Sequence, residues 1–483
     1  MRPDELQARA RHHDPRRRTA AAALVIALGF TSIACDSKPT PTKPPSAPPA
    51  ATVRPPTPAP PTPGASLAAR LIPQPPVPSG VPLAPDSARV DLAMPTFSNP
   101  TAITNPLFPV SRQESVLMLG RVDGKPFRTE VTLLPFTRIV VWEDQQVETA
   151  VSQYLAYLDG RITEIAYDLY AQADDGSVWY FGEDVADFAD GAIVTKEGTW
   201  LAGKDAPAAM IMPAQPKVGD VFRTENSPGF AFEEVTVTAV DLTLDGPLGR
   251  LAGGLIVSEL HMDGAVEDKT FAPGYGEFLT TSGPDVEALA LAVPTDAATS
   301  PEPAELQALR TGAAALADAA AIKDWTTATA RLAEMNVAWS TISSSDVPRL
   351  VEPVMTAALD GLTKAVAAHN VTSARQGAID VGRSTLDLLL RYRPARQVDV
   401  ARFDLMAAQV VLDVDGHDAA GLNADTFTLS YMRERILAFV SPAVLAQLNT
   451  ALLDLQLAAA DEDLAAASAA ATRLRDAVAT ALP

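Results

Sequence analysis

The sequence predicts two consecutive folded modules: an antiparallel β open or partial barrel, followed by an all-α repeat of four helical hairpins. Three observations carry this α+β reading. Between residues 95 and 294, short β-branched and aromatic runs alternate with six Asp-Gly pairs. Between 301 and 482 the composition turns alanine-rich, and an internal repeat emerges. Ahead of both lies a proline-rich stretch that neither module can absorb. At 483 residues the chain has room for more than one domain. The boundaries read as 1–34 signal, 35–90 tether, 91–295 β domain and 301–483 helical repeat.

The chain opens with Arg16-Arg17-Arg18, then an apolar run over 19–30. That run is too short for a spanning helix, which needs roughly 20 residues, and it suits a cleavable secretory signal. The following Thr31-Ser32-Ile33-Ala34-Cys35 resembles the lipobox of bacterial lipoproteins, with Ser32 where that family usually has leucine. The resemblance implies cleavage before Cys35 and lipid on its sulfur, palmitate included, and so a membrane-anchored, extracytoplasmic place in the bacterial envelope. Durable anchoring takes two or more acyl chains. Cys35 is the sole cysteine and can form no internal disulfide. An incidental thiol after an ordinary signal peptide remains the alternative at this point.

Formal charge is −21. Residues 1–34 carry six arginines and three acidic residues, so the chain from Cys35 onward carries about −24. Such acidity argues against a nucleic-acid partner, because phosphates repel it. It also leaves the lipid, rather than a basic patch, to hold the membrane.

From 36 to 63 roughly every second or third residue is proline, which lacks a backbone donor and excludes helix and central strand. As polyproline II at about 3.1 Å per residue, this stretch is a spacer of up to about 90 Å. A sparser proline tail continues to the first domain, near Asp91.

Asp-Gly between alternating apolar residues is a strong hairpin signal, since both turn positions take positive φ. The pairs at 123, 159, 175, 190, 245 and 263 therefore predict strands over 114–122, 126–134, 138–145, 150–158, 162–172, 177–181, 192–199, 219–225, 231–244, 249–262 and 266–272. Residues 205–217 read as a long ordered crossing loop. So many short antiparallel strands suggest one sheet coiled on itself. Five phrases carry a resemblance to an uncharacterised β domain of secreted bacterial proteins: Asn105-Pro106-Leu107-Phe108-Pro109, Trp179-Tyr180-Phe181-Gly182-Glu183-Asp184, Gly198-Thr199-Trp200, Met212-Pro213-Ala214 with Gly219-Asp220, and Pro273-Gly274-Tyr275-Gly276. It implies an all-β fold and no activity.

The helical repeat is marked by Asp324, Asn370, Asp418 and Asp463. Apolar or alanine residues stand at fixed offsets of 4, 8, 11 and 15 before each marker, a helical face. The markers themselves are placed to cap the second helix of each hairpin. Eight helices follow, as two four-helix bundles or one short solenoid.

Candidate chemistry is sparse. Glu183, Asp184, Asp187, Asp190 and Glu197 crowd one segment, but an EF-hand frame through it puts Ala186 and Phe188 at the first and third ligand positions. Neither a metal site nor a cofactor is expected. His369 and His417 each precede a capping residue, and His261 lies in a strand. Arg391-Tyr392-Arg393-Pro394 reads as a helix C-terminal cap. No catalytic residue is indicated. Trp179 and Phe181 share one face of a strand and, with Trp200, are expected to line an apolar concavity. The sequence thus favours a non-enzymatic, lipid-anchored protein that binds an apolar small molecule or an envelope protein. The alternative is an envelope hydrolase using carboxylates of the β domain.

Overall fold

Every stretch between the predicted turns forms an antiparallel strand. In the computed structural model, residues 70–479 are described, except 78, 79, 228, 230 and 346. The expected signal, Cys35 and the expected tether up to residue 69 lie outside the described residues. The strands are β1 Ser115–Val122, β2 Lys125–Trp142, β3 Gln145–Leu158, β4 Arg161–Gln172, β5 Val178–Ala189, β6 Ala192–Thr195 and β7 Trp200–Leu201. They continue as β8 Ala209–Met212, β9 Val221–Ser227, β10 Ala231–Asp245, β11 Arg250–His261, β12 Val266–Ala272, β13 Gly276–Ser282 and β14 Asp285–Val293. Their order is β6-β5-β4-β3-β2-β1-β14-β13-β12-β11-β10-β9, with β7 and β8 added on β5. The result is one 14-stranded sheet that is not closed.

Three Asp-Gly pairs (123, 159 and 190) hold both residues at positive φ, as a two-residue hairpin turn requires. Three differences from expectation have local causes. The segments 126–134 and 138–145 are one strand, β2, whose pairing with β3 slips between Leu133 and Thr137 around the exposed Pro135, a residue that cannot donate to the ladder. The loop over 205–217 contains β8. Strands β13 and β14 lie beyond the last predicted strand, and β14 pairs with β1, joining the two ends of the domain.

The folded body also begins before residue 91. Ile72 is buried, Leu71 bridges to Ala93, and Arg89 bridges to Val221 on β9. The Arg89 guanidinium grips Asp91, whose carboxylate accepts from the Arg223 amide.

The helices are α1 Ala304–Ala321, α2 Trp325–Ile342, α3 Val351–Ala367, α4 Val371–Leu389, α5 Ala395–Gly416, α6 Ala419–Ile436, α7 Pro442–Ala460 and α8 Leu464–Ala479. All four markers cap as the repeat requires, accepting from the amides of Thr327, Ser373, Gly421 and Ala466. The residue before each one, Lys323, His369, His417 and Glu462, is left-handed. This αL-then-cap turn is the structural content of the repeat. Helix α1 packs on α2 and α4, and α3 on α4; α5 packs on α6 and α8, and α7 on α8. These are two four-helix bundles joined through α4 and α5. Helix α7 is long and apolar enough to cross a membrane, yet Leu448, Leu452 and Leu455 sit in the second bundle's core.

Sheet and helices are not packed independently. Leu117, Leu291 and Val293 of the sheet share one apolar core with the first bundle. Leu155, Tyr157, Ile165 and Phe188 share another with the second. The described residues belong to one compact unit.

Candidate functional site

The face of the sheet turned away from the helices is concave and acidic. Alternation along each strand sends Leu155 and Ile165 to the helices, and Asp168 on β4 the other way. One irregularity matters for β5. Its pairing with β4 shifts between Asp168 and Tyr170, so Phe181 and Gly182 together oppose Leu169. This bulge turns both Tyr180 and Glu183 inward, with Trp179 and Phe181 outward. Only glycine fits at its corner. Gly182 has φ +124, and a Cβ there meets the Trp200 carbonyl oxygen at 2.2 Å.

The curl is read from which strands meet. Asp168 on β4 feels the charge of Glu277 on β13, five strands away in sheet order. Glu183 on β5 lies close enough to Glu225 on β9, near the opposite end of the sheet, for the charge of Glu225 to raise it. The Trp200 indole donates to the same Glu225 carboxylate at 3.3 Å.

Burial among other acids forces these groups to keep protons. Asp168 is pushed up to about 7 by burial, although it accepts from the Tyr180 hydroxyl at 2.7 Å. Burial and then the neighbouring Glu225 raise Glu183 well above the carboxylate range. Burial and Glu233 raise Glu225 to about 8, and the same pair of causes raises Glu259 to about 8. Glu287, which accepts from Thr129, is raised to about 8 by burial and by Glu277. All but Glu259 retain partial solvent exposure, so these protons can exchange with water.

Two cations sit among the acids. Lys269 donates to Glu259 at 3.0 Å, and His261 lies 3.3 Å from Glu233 through Nδ1. The bonds to Glu233 and Glu267 hold His261 protonated, up to about 10. Against the cost of its burial, the His261 bond and the Lys269 charge bring Glu233 down to about 2. Glu233, Glu259 and His261 are close enough to hold one metal ion. The carboxyls of Glu259 and Glu233 already face Lys269 and the His261 imidazolium, so this corner is a hydrogen-bonded cluster around two cations.

The three rings predicted to line an apolar concavity are enclosed. Trp179 and Phe181 pack against Trp142 with centroids 6.2 and 5.7 Å away, and Trp200 meets Tyr180 edge-on at 5.3 Å. All three are at most 2% exposed. Trp179 and Phe181 do share a face as expected, but it is the outer one, and the inner one is acidic. In the acidic segment Glu183 joins the interior cluster and Asp187, cross-strand from Glu164, shares its face of β5; Asp184 is exposed and Asp190 forms a hairpin turn. His369 stacks on Trp325 in an inter-helix turn. Arg391 donates to the Asp296 carbonyl and Arg393 clamps Glu302, so the basic cluster pins the segment between sheet and helices.

The five phrases singled out in the β region converge in space. Asn105 donates to the Pro213 carbonyl, Gly274 donates to that of Pro106, and Trp200 packs on Tyr180. Asp168, Glu225, Glu233, Glu259 and Glu287 escape a sequence reading because a charge at alternate strand positions normally marks a solvent face. Their signal was in-strand acids on many strands at once, with Lys269 and His261 interspersed.

No protein-family model matches the chain, and no curated protein is detectably similar to it.

Proposed function

We propose that this chain is a lipid-anchored protein of the bacterial envelope whose curled sheet binds a cation in its carboxylate-lined interior. The anchor is the lipid on Cys35, and the proline-rich stretch after it is the link to the folded body. The observation that carries the binding reading is the Glu183–Glu225 pair, two half-buried carboxyls from opposite ends of the sheet, both pushed toward the protonated form by burial and neighbouring acids. A cation coordinated by oxygen takes the place of their protons, with Asp168 nearby as a further donor. Hard divalent ions favour all-oxygen donor sets. The expected apolar guest gives way to a cationic one because the inner face offers carboxyl oxygens that a cation can deprotonate.

Calorimetric titration of the chain at pH 8 with calcium chloride, and separately with spermidine, tests this and distinguishes a metal ion from an organic ammonium. Saturable binding of either, with proton release and loss of affinity in Glu225→Gln, supports the reading. Binding of neither ends it. Replacing Cys35 with Ala should move the chain from the membrane to the soluble fraction or leave its signal uncleaved.

A hydrolase is the second reading, favoured by one specific contrast. Glu225 and Glu233 are cross-strand partners with carboxyls at about 8 and about 2. Such a split is how one site supplies both an acid and a base. Turnover of chromogenic glycosides or esters, abolished in Glu225→Gln, would establish it.

A further inference from the structure

A recess of about 350 Å³ opens at the seam between sheet and helices, where the turn from β10 to β11 meets the connection from α2 to α3. Residues 245–250 line it from the sheet, and Ser345, Val347 and Arg349 from the helical side. None of the acids of the curled interior lines it. Its volume is that of a small-molecule pocket. The two sides are bonded to each other. The Arg349 amide donates to the Pro247 carbonyl at 3.0 Å, and Arg349 Nη2 donates to the Asp245 carbonyl at 3.2 Å.

Charge sets this recess apart. The arginines that hold the seam elsewhere are matched by carboxylates: Arg128 and Arg402 by Asp387, Arg161 by Asp413 and Asp425, and Arg435 by Glu130. Arg250 and Arg349 are both exposed, and among the described residues neither forms an ion pair. Asp245 is the cross-strand partner of Arg250, yet the two side chains make no ion pair. It is also the one acid among the described residues of the lining. The lining therefore carries two positive charges against one negative, in a chain whose formal charge is −21. Both guanidiniums are solvated, so neither is strained and both are available. Pro247, Leu248 and Val347 give the recess an apolar side.

We propose that this recess binds a small organic anion, its carboxylate or phosphate group between Arg250 and Arg349 and its apolar part against Leu248 and Val347. A guanidinium presents a planar fork of donors that matches both kinds of oxyanion. Arg349 uses Nη2 on the Asp245 carbonyl, which leaves Nε and Nη1 for the ligand. The net positive lining repels the cations proposed for the acidic interior, so the two sites are chemically distinct. Because Arg250 opens β11 and Arg349 precedes α3, a bound anion ties the sheet to the first bundle.

The test is calorimetric titration of the folded chain at low ionic strength with phenyl phosphate and, separately, with benzoate. The two arms tell a phosphate site from a carboxylate site. Saturable binding of either is expected, weakened about tenfold in Arg250→Gln and in Arg349→Gln by loss of one charged hydrogen-bond partner. The Arg250 side chain has no partner among the described residues. Arg250→Gln should therefore keep the parent melting temperature, which separates lost binding from a lost fold. Hydrogen exchange across the β10–β11 turn and the α2–α3 connection should slow together when the ligand is bound. Binding of neither compound overturns the proposal, and so does binding that Arg250→Gln leaves unchanged.

Discussion

Replacing Arg435 with Met asks how far sheet and helices depend on each other. Arg435 is wholly buried and joins α6 to β2 through Glu130 and to β3 through Gln153, both at 2.7 Å. Methionine keeps much of the apolar volume and removes the charge. Glu130 then keeps Arg128, at 2.7 Å, but its remaining contact to Arg402 is 3.7 Å. Three guanidiniums hold this carboxylate well below its usual range against the cost of burial, so losing one leaves a strained buried charge. Breaking a buried pair in this way costs about 3–5 kcal/mol. That is a large part of the 5–15 kcal/mol typical of a folded unit. Urea unfolding followed by circular dichroism at 222 nm, with hydrogen exchange of β2 and β3 peptides at matched urea, gives the reading. Helical signal and strand protection should fall together, at a midpoint well below that of the parent. Arg473→Ala, which breaks an exposed pair with Asp454, should cost under about 1 kcal/mol. If the helices kept their midpoint while the strands exchanged freely, the shared-core account would be wrong.

Three further outcomes follow from particular contacts. Gly182→Ala should destabilise by about 2 kcal/mol or more in thermal melts, because its Cβ meets backbone and its φ is positive; an unchanged melting temperature would remove the bulge from the argument. Stability should fall as pH rises from about 5 to 8.5. The folded chain keeps protons on Asp168, Glu225, Glu259 and Glu287 that the unfolded chain has released, so stability falls as pH rises through that range. His261 adds to the same trend between its ordinary value and about 10, while Glu130 and Glu233 reverse it only below about pH 4.5. A flat or rising melting temperature across that window would contradict these protonation states. Limited proteolysis should spare residues 294–303, where Asp296 accepts from the Tyr275 hydroxyl and the Ala292 amide and Arg393 clamps Glu302; early cleavage there would show that the join is loose.

The architecture was legible in the sequence because it rests on local signals. Asp-Gly turns, apolar alternation and the four capping residues each act within a few positions of themselves. The Glu143-Asp144 turn, which holds positive φ without glycine, and strands β13 and β14 had no such signal. The interior was not legible. Whether Asp168 faces water or a crowded concavity depends on curvature that brings β4 near β13, a long-range property. The bulge at Gly182 added to this by reversing the inward and outward sense of β5, so Trp179 and Phe181 pointed away from the face they were expected to line. Likewise, apolar faces on the helices reveal that they pack, but not that part of their partner is the sheet.

The most direct test of a cation-binding interior is a carboxyl carbon NMR titration of the glutamate and aspartate side chains, with and without calcium. The account predicts several carboxyls titrating near pH 7–8 in the ion-free chain. It also predicts that those resonances move to lower pH on calcium addition and that one of them vanishes in Glu225→Gln. Carboxyls that all titrate below pH 6, with no response to calcium or to spermidine, would contradict it.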